Sequence, residues 1–228
     1  MRKGVTRQIL ASNHTRYLRN STKGDFLIKR LLCHERLYVR FLALFGLGAV
    51  LFTLTWTLSY LFLPEGVLRG RTGSAMLAGD EAAGSFLAEW LRIVALNLMG
   101  GSLIVVPNRI YRFRGYPLGY LLPLAWLTNY AVCLGTNSFS IPLPERMAPS
   151  LAVLGRTGLY EIAAYTLVAV ATYSINLYEV TRFIPPTYEP VTPKSKFSLT
   201  LEQWVGLGLA IAVLLAANAR EAYMIVTL

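Results

Sequence analysis

Apolar residues in this chain come in long unbroken blocks, separated by short polar stretches rich in Pro, Gly and Arg. A helix needs roughly 20 apolar residues to cross a hydrocarbon core about 30 Å thick. Five blocks meet that length: Phe41–Leu63, Phe86–Val106, Tyr116–Gly135, Leu151–Tyr173 and Trp204–Tyr223. The first has no charged residue and ends at Pro64. The third carries Pro117 in its first turn, where proline is tolerated, and Pro123 further in, where a kink is expected. The fifth has a clean core from Val205 to Ala217.

Before the first block lies a different pattern. Over residues 26–40, Leu27, Ile28, Leu31, Leu32, Tyr38 and Val39 share one side at helical spacing, and Lys29, Arg30, Arg36 and Arg40 share the other. Glu35 falls among the apolar positions. Two arrangements suit this pattern: an interfacial helix on anionic lipid, or a cytoplasmic helix packed beneath the bundle. The expected fold is therefore all-α. Residues 1–40 form a basic cytoplasmic arm with an amphipathic helix, and residues 41–228 form a bundle of five transmembrane helices.

Composition agrees. Hydrophobic residues make up 54% of 228, and charged residues only 15%, against roughly 25% in soluble proteins. The net charge of +10 is lopsided, because residues 1–40 contain ten Lys/Arg against Asp25 and Glu35. That concentration argues against a nucleic-acid partner and for anionic lipid at the arm. Counted over alternate loops, Lys/Arg number sixteen on the side of the N-terminus and three on the other. The positive-inside rule then places the N-terminus in the cytoplasm and the C-terminus outside. The first block, starting forty residues in, reads as an uncleaved signal anchor. The Pro-rich stretch 185–196 reads as an extended loop that spans a gap or docks a partner.

Ionisable residues inside a membrane are costly and need partners. Glu89 and Arg92 in the second block, Arg156 and Glu161 in the fourth, and Arg220 and Glu221 in the fifth converge on the outer half of the bundle. Glu161 lies roughly 15 Å deep at 1.5 Å per residue. Arg92 is its expected partner, and Glu89 or Glu221 that of Arg156. Two readings follow: interhelical pairs that hold the packing, or a polar cavity for an ion, proton or small substrate. Asn97, Asn108, Asn129, Asn137 and Asn218 lie in or beside the blocks, where asparagines are expected to hydrogen-bond between helices. The small residues Gly206, Gly208, Ala210, Ala212 and Ala216 give the last helix a face for close approach. His14 and His34 are the two histidines, Cys33 and Cys133 stand apart, and no nucleotide, hydrolase or zinc motif occurs. No enzyme activity and no cofactor are expected.

The stretches RIVALNLMGG (92–101), VPN (106–108), GYPLG (115–119) and GRTGLYEIAAY (155–165) resemble the stage II sporulation protein M family of integral membrane proteins. Asn97 stands at the family's helix Asn, Asn108 at its pre-turn Asn, and Gly119 at its turn Gly. Gly158, Glu161 and Ala164 stand in its last motif. Arg156-Thr157 replaces the usual Pro-His, and Arg109–Arg114 is inserted. The resemblance covers about residues 90–175. It implies a non-enzymatic membrane scaffold or accessory subunit that assembles with other membrane proteins or with itself. The alternative is a transporter or channel component that uses Glu161, Arg92 and Arg156.

Overall fold

A computed structural model describes residues 23–71, 84–139, 143–150, 157–191 and 198–227. The chain is mostly helical: α1 (Lys23–Leu32), α2 (Leu37–Phe62), α3 (Phe86–Ile110), α4 (Leu121–Thr136), α5 (Thr157–Ala171) and α6 (Leu201–Thr227). A single 3₁₀ turn, Leu118–Tyr120, leads into α4. Among the described residues four helical segments are long and apolar enough to cross a membrane: α2, α3, Leu118–Thr136 and α6.

The fourth expected span, Leu151–Tyr173, is represented by α5, which has 15 residues. At 1.5 Å per residue its described part is about 22 Å long. The stretch 151–156 ahead of it lies outside the described residues. α5 is the centre of the bundle: it touches all four long helices, and Ala169, Val170 and Ala171 are 0% exposed. The long helices turn their large aliphatic side chains outward instead, as Leu42, Leu54, Leu61, Leu98 and Leu103 show. That inversion is what lipid as solvent allows.

The inward stripe of α2 is Leu37, Arg40, Leu44, Gly48, Phe52, Trp56 and Ser59, a spacing of three or four. It packs mainly on α4. The ends of α2 are held by other elements. Glu202 of α6 accepts from Leu37 N at 2.9 Å, placing an anion at the α2 N-terminus. Arg146 donates to Ser59 O and Tyr60 O at its C-terminal end, and to Gly135 O at the end of α4. α6 opens with its own box, in which Thr200 N donates to Gln203 Oε1 at 2.8 Å and Gln203 N to Thr200 Oγ1 at 3.3 Å. Because Leu37 meets Glu202, α2 and α6 start at the same end of the bundle and run in parallel.

Four expectations change. Residues 26–40 do not form one helix. α1 stops at Leu32, the chain turns through Cys33–Arg36, and Leu37–Arg40 belong to α2. The buried Arg40 guanidinium holds this turn by donating to His34 O and Glu35 O, and on to Val170 O at 3.1 Å. This also explains Glu35, which sits in the break and is exposed. Second, the fold is not purely helical. Tyr111–Phe113 (β1), Tyr116–Pro117 (β2), Tyr178–Phe183 (β3) and Pro186–Pro190 (β4) form one sheet, in the order β2-β1-β3-β4. The chain leaves α3 and α5 at the same end, so β1 and β3 pair in parallel. Tyr111 stacks on Tyr178 and Tyr188 across them. The β1–β2 hairpin turns at Arg114 and Gly115, both at positive φ, as a two-residue turn demands. Third, Tyr116 and Pro117 are strand rather than span, and Pro123 falls in the first turn of α4, where it needs no kink. Fourth, the Pro-rich stretch supplies the edge strand β4. Residues 192–197 lie outside the described residues.

Candidate functional site

The centre of the bundle holds a polar cluster drawn from three helices. Asn97 lies midway along α3. Glu161 and Tyr165 are one turn apart on α5, and Asn218 and Glu221 one turn apart on α6, so each pair shares a face. Asn97 is the hub. Its Nδ2 donates to Glu161 Oε1 at 3.2 Å, and its Oδ1 accepts from Tyr165 Oη at 2.5 Å. The Asn97 and Asn218 amides meet at 2.7 Å. With its amide turned, Asn218 donates to Glu161 Oε1 at 3.1 Å and to Leu214 O at 3.2 Å. The Glu221 carboxyl group neighbours that of Glu161. Tyr165 is fixed from behind by Trp126, with ring centroids 4.9 Å apart.

The expected charge pairing is therefore corrected. Arg92 bonds Glu89, three residues before it on α3, at 2.6 Å, whereas Glu161 takes amides and neighbours a second carboxyl group. A guanidinium reaches an acid one turn away at little entropic cost, which favours the local pair over a neighbouring helix. Glu89 is fully buried. Arg220, counted with this cluster from the sequence, is exposed. Arg156 lies outside the described residues. Asn218 makes the interhelical hydrogen bond expected of it. Tyr165 joins the site as well, and the sequence signal for it is its spacing, four residues after Glu161.

Asn108 belongs to a second, separate site toward the sheet end. Fully buried, it donates to Ala169 O at 2.9 Å and Thr172 Oγ1 at 2.8 Å, and its Oδ1 accepts from Gly119 N at 2.8 Å. One amide thus ties α3, α5 and the turn into α4. A Cβ on Gly119 would lie 2.4 Å from Asn108 Oδ1 and 2.5 Å from Ile104 O, so only glycine fits. Gly158 presses on Tyr130, with a hypothetical Cβ 3.0 Å from its ring. Asn108 and Gly158 thus serve packing rather than the carboxyl cluster.

A third polar locus surrounds Cys33, between α1, the β1–β2 turn and Tyr173. Cys33 Sγ donates to Gly115 O at 3.4 Å. Burial pushes its thiol up from its ordinary value despite the nearby Lys29, Arg40 and Arg112, so it stays a neutral thiol at physiological pH. Burial likewise pushes the Tyr173 hydroxyl up to about 12. The Arg40 guanidinium lies 4.8 Å from the Tyr173 ring centroid. Neither group titrates in the physiological range. Among the described residues no group of three His, Cys, Asp or Glu is placed to hold a metal.

Comparison of the chain with protein-family models, curated proteins and solved structures finds no match.

Proposed function

We propose that this protein is a non-enzymatic integral membrane scaffold or an accessory subunit of a larger membrane complex. The observation that carries this reading is the outer face of α6. Gly208, Ala212 and Ala216 recur every fourth residue, and all three are exposed. A Cβ on Gly208 would meet nothing within 4 Å. Half a turn away, Gly206 and Ala210 are buried, with Gly206 against Leu37 and Ala171. α6 therefore has two faces for close helix approach, and this chain covers one of them. In lipid, such small-residue faces are where helices associate, because backbones can come near enough for dense van der Waals contact. The same outcome is implied by the resemblance to the stage II sporulation protein M family. In this reading α1 and the sheet lie in the cytoplasm of a prokaryotic cell, and the C-terminus lies outside.

The test is a double substitution, Gly208→Leu with Ala212→Leu, in the full chain purified in mild detergent. Both positions are exposed, so the melting temperature should hold. Copurifying membrane partners, or self-association, should fall about tenfold, equivalent to about 1.4 kcal/mol of helix–helix contact. Unchanged association would sink the proposal.

The closeness of Glu161 and Glu221 favours a second reading, a proton-coupled transporter component, since an intramembrane carboxyl pair is a natural proton carrier. Proteoliposome flux separates the two. As a transporter subunit, the protein moves protons, and Glu161→Gln abolishes flux while the fold persists. As a scaffold it moves none, and the double change Glu161→Gln, Glu221→Gln melts at or above the wild-type temperature, because neutral amides of the same shape replace two neighbouring buried acids.

A further inference from the structure

We infer that α1 and the β1–β2 turn form a docking face for the headgroups of an anionic phospholipid leaflet. The inference needs only that the chain sits in a bilayer, and it is independent of what α6 recruits. In α1 the apolar residues Leu27, Ile28, Leu31 and Leu32 span an arc of about 140° at 100° per residue. Only the edge of that arc is used by the protein: Leu32 is 7% exposed, against 57%, 50% and 48% for Leu27, Ile28 and Leu31. Tyr38 and Leu42, at the start of α2 a few residues on, are exposed too, and α2 is long and apolar enough to be sheathed by lipid. The occupant of the α1 face is therefore the same lipid, one layer nearer the water.

The charges complete the match. Lys29 and Arg30 occupy the remaining arc of α1. Lys29 also lies against the hairpin, with its Nζ 3.9 Å from where a Gly115 Cβ would be. At the hairpin tip Arg114 is exposed, with its guanidinium 5.2 Å from the Phe113 ring centroid. Behind this rim Arg112 is held by Glu179 at 2.8 Å. An apolar face edged by cations at the mouth of a spanning helix suits acyl chains below and lipid phosphates beside it. It suits an acidic protein less well, because three large aliphatic side chains would stay in water until the partner arrived.

The experiment titrates phosphatidylglycerol, phosphatidylcholine and inorganic phosphate separately into the full chain in detergent, reading the rise in melting temperature. Phosphatidylglycerol should half-saturate at about one-tenth the concentration of phosphatidylcholine or lower, with the difference shrinking as salt is added. The triple change Lys29→Gln, Arg30→Gln, Arg114→Gln should weaken phosphatidylglycerol binding about a hundredfold, at about 1 kcal/mol or fivefold per cation. Arg71→Gln, at an exposed arginine beyond the far end of α2, should change nothing. If the triple variant also melts lower in phosphatidylcholine, the charge-keeping triple Lys29→Arg, Arg30→Lys, Arg114→Lys must restore the preference. Equal affinity for the two lipids, an unaffected triple variant, or an equal response to inorganic phosphate would each overturn the inference.

Discussion

Gly119→Ala should lower the melting temperature of the detergent-solubilised protein by about 10 °C, the shift expected for a loss of about 3 kcal/mol in a chain this long. The methyl group has nowhere to go. It would sit 2.5 Å from Ile104 O, a backbone atom fixed by the hydrogen bonds of α3, and 2.4 Å from Asn108 Oδ1. Moving either atom opens the junction of α3, α5 and the turn into α4. Asn108→Ala should cost a comparable amount by a different route, since Gly119 N is stranded where water cannot replace its acceptor, at about 1–3 kcal/mol, and a cavity opens, while Thr172 Oγ1 keeps its bond to Val168 O. Combining the two changes should cost less than their sum, because truncating Asn108 removes the nearer clash. Recovery should stay partial, because Ile104 O remains. A Gly119→Ala protein that melts like wild type would mean that this junction is not closed as described.

Arg40→Met should have the second large effect. Arg40 is 2% exposed, and its guanidinium carries three carbonyl contacts that stitch the Cys33–Arg36 turn to α5. Methionine keeps the stem and removes the fork. The expected loss is about 3 kcal/mol, at about 1–3 kcal/mol per charge-assisted bond less the relief from burying one charge fewer. The loss should show first as local opening, because α1 is tied to the rest through this turn and through Leu32. Trypsin should cut at Arg36 sooner than in wild type, with the remaining bundle intact. Arg40→Lys should recover only part of the protection, because an ammonium group cannot span carbonyls on two elements as a planar guanidinium does. Unchanged proteolysis in Arg40→Met would assign the turn's rigidity elsewhere.

Block length was sufficient to read the four long helices of this protein from its sequence. Twenty or more apolar residues cannot be hidden in so small a chain except in lipid, so α2, α3, α4 and α6 stand where the hydrophobic blocks do, within a few residues. The intramembrane polar residues were also legible as a group, because each is conspicuous against an apolar background. Partner choice was not legible. Whether Arg92 reaches Glu161 on another helix or Glu89 on its own depends on how α3 is rotated about its axis, and an apolar block of even density leaves that rotation undetermined. The same rotation brought Tyr165 and Asn218 into the cluster with Asn97, and turned Arg220 outward. The sheet was hidden for a related reason. β1 and β2 together span five residues, too few to show a period, and β1 pairs with β3 only because α3 and α5 deliver their ends side by side. The break at Cys33–Arg36 has no Pro or Gly to announce it. It exists because Arg40, eight residues past the end of α1, binds His34 O and Glu35 O in the turn and Val170 O on α5, a partner that only the assembled bundle supplies.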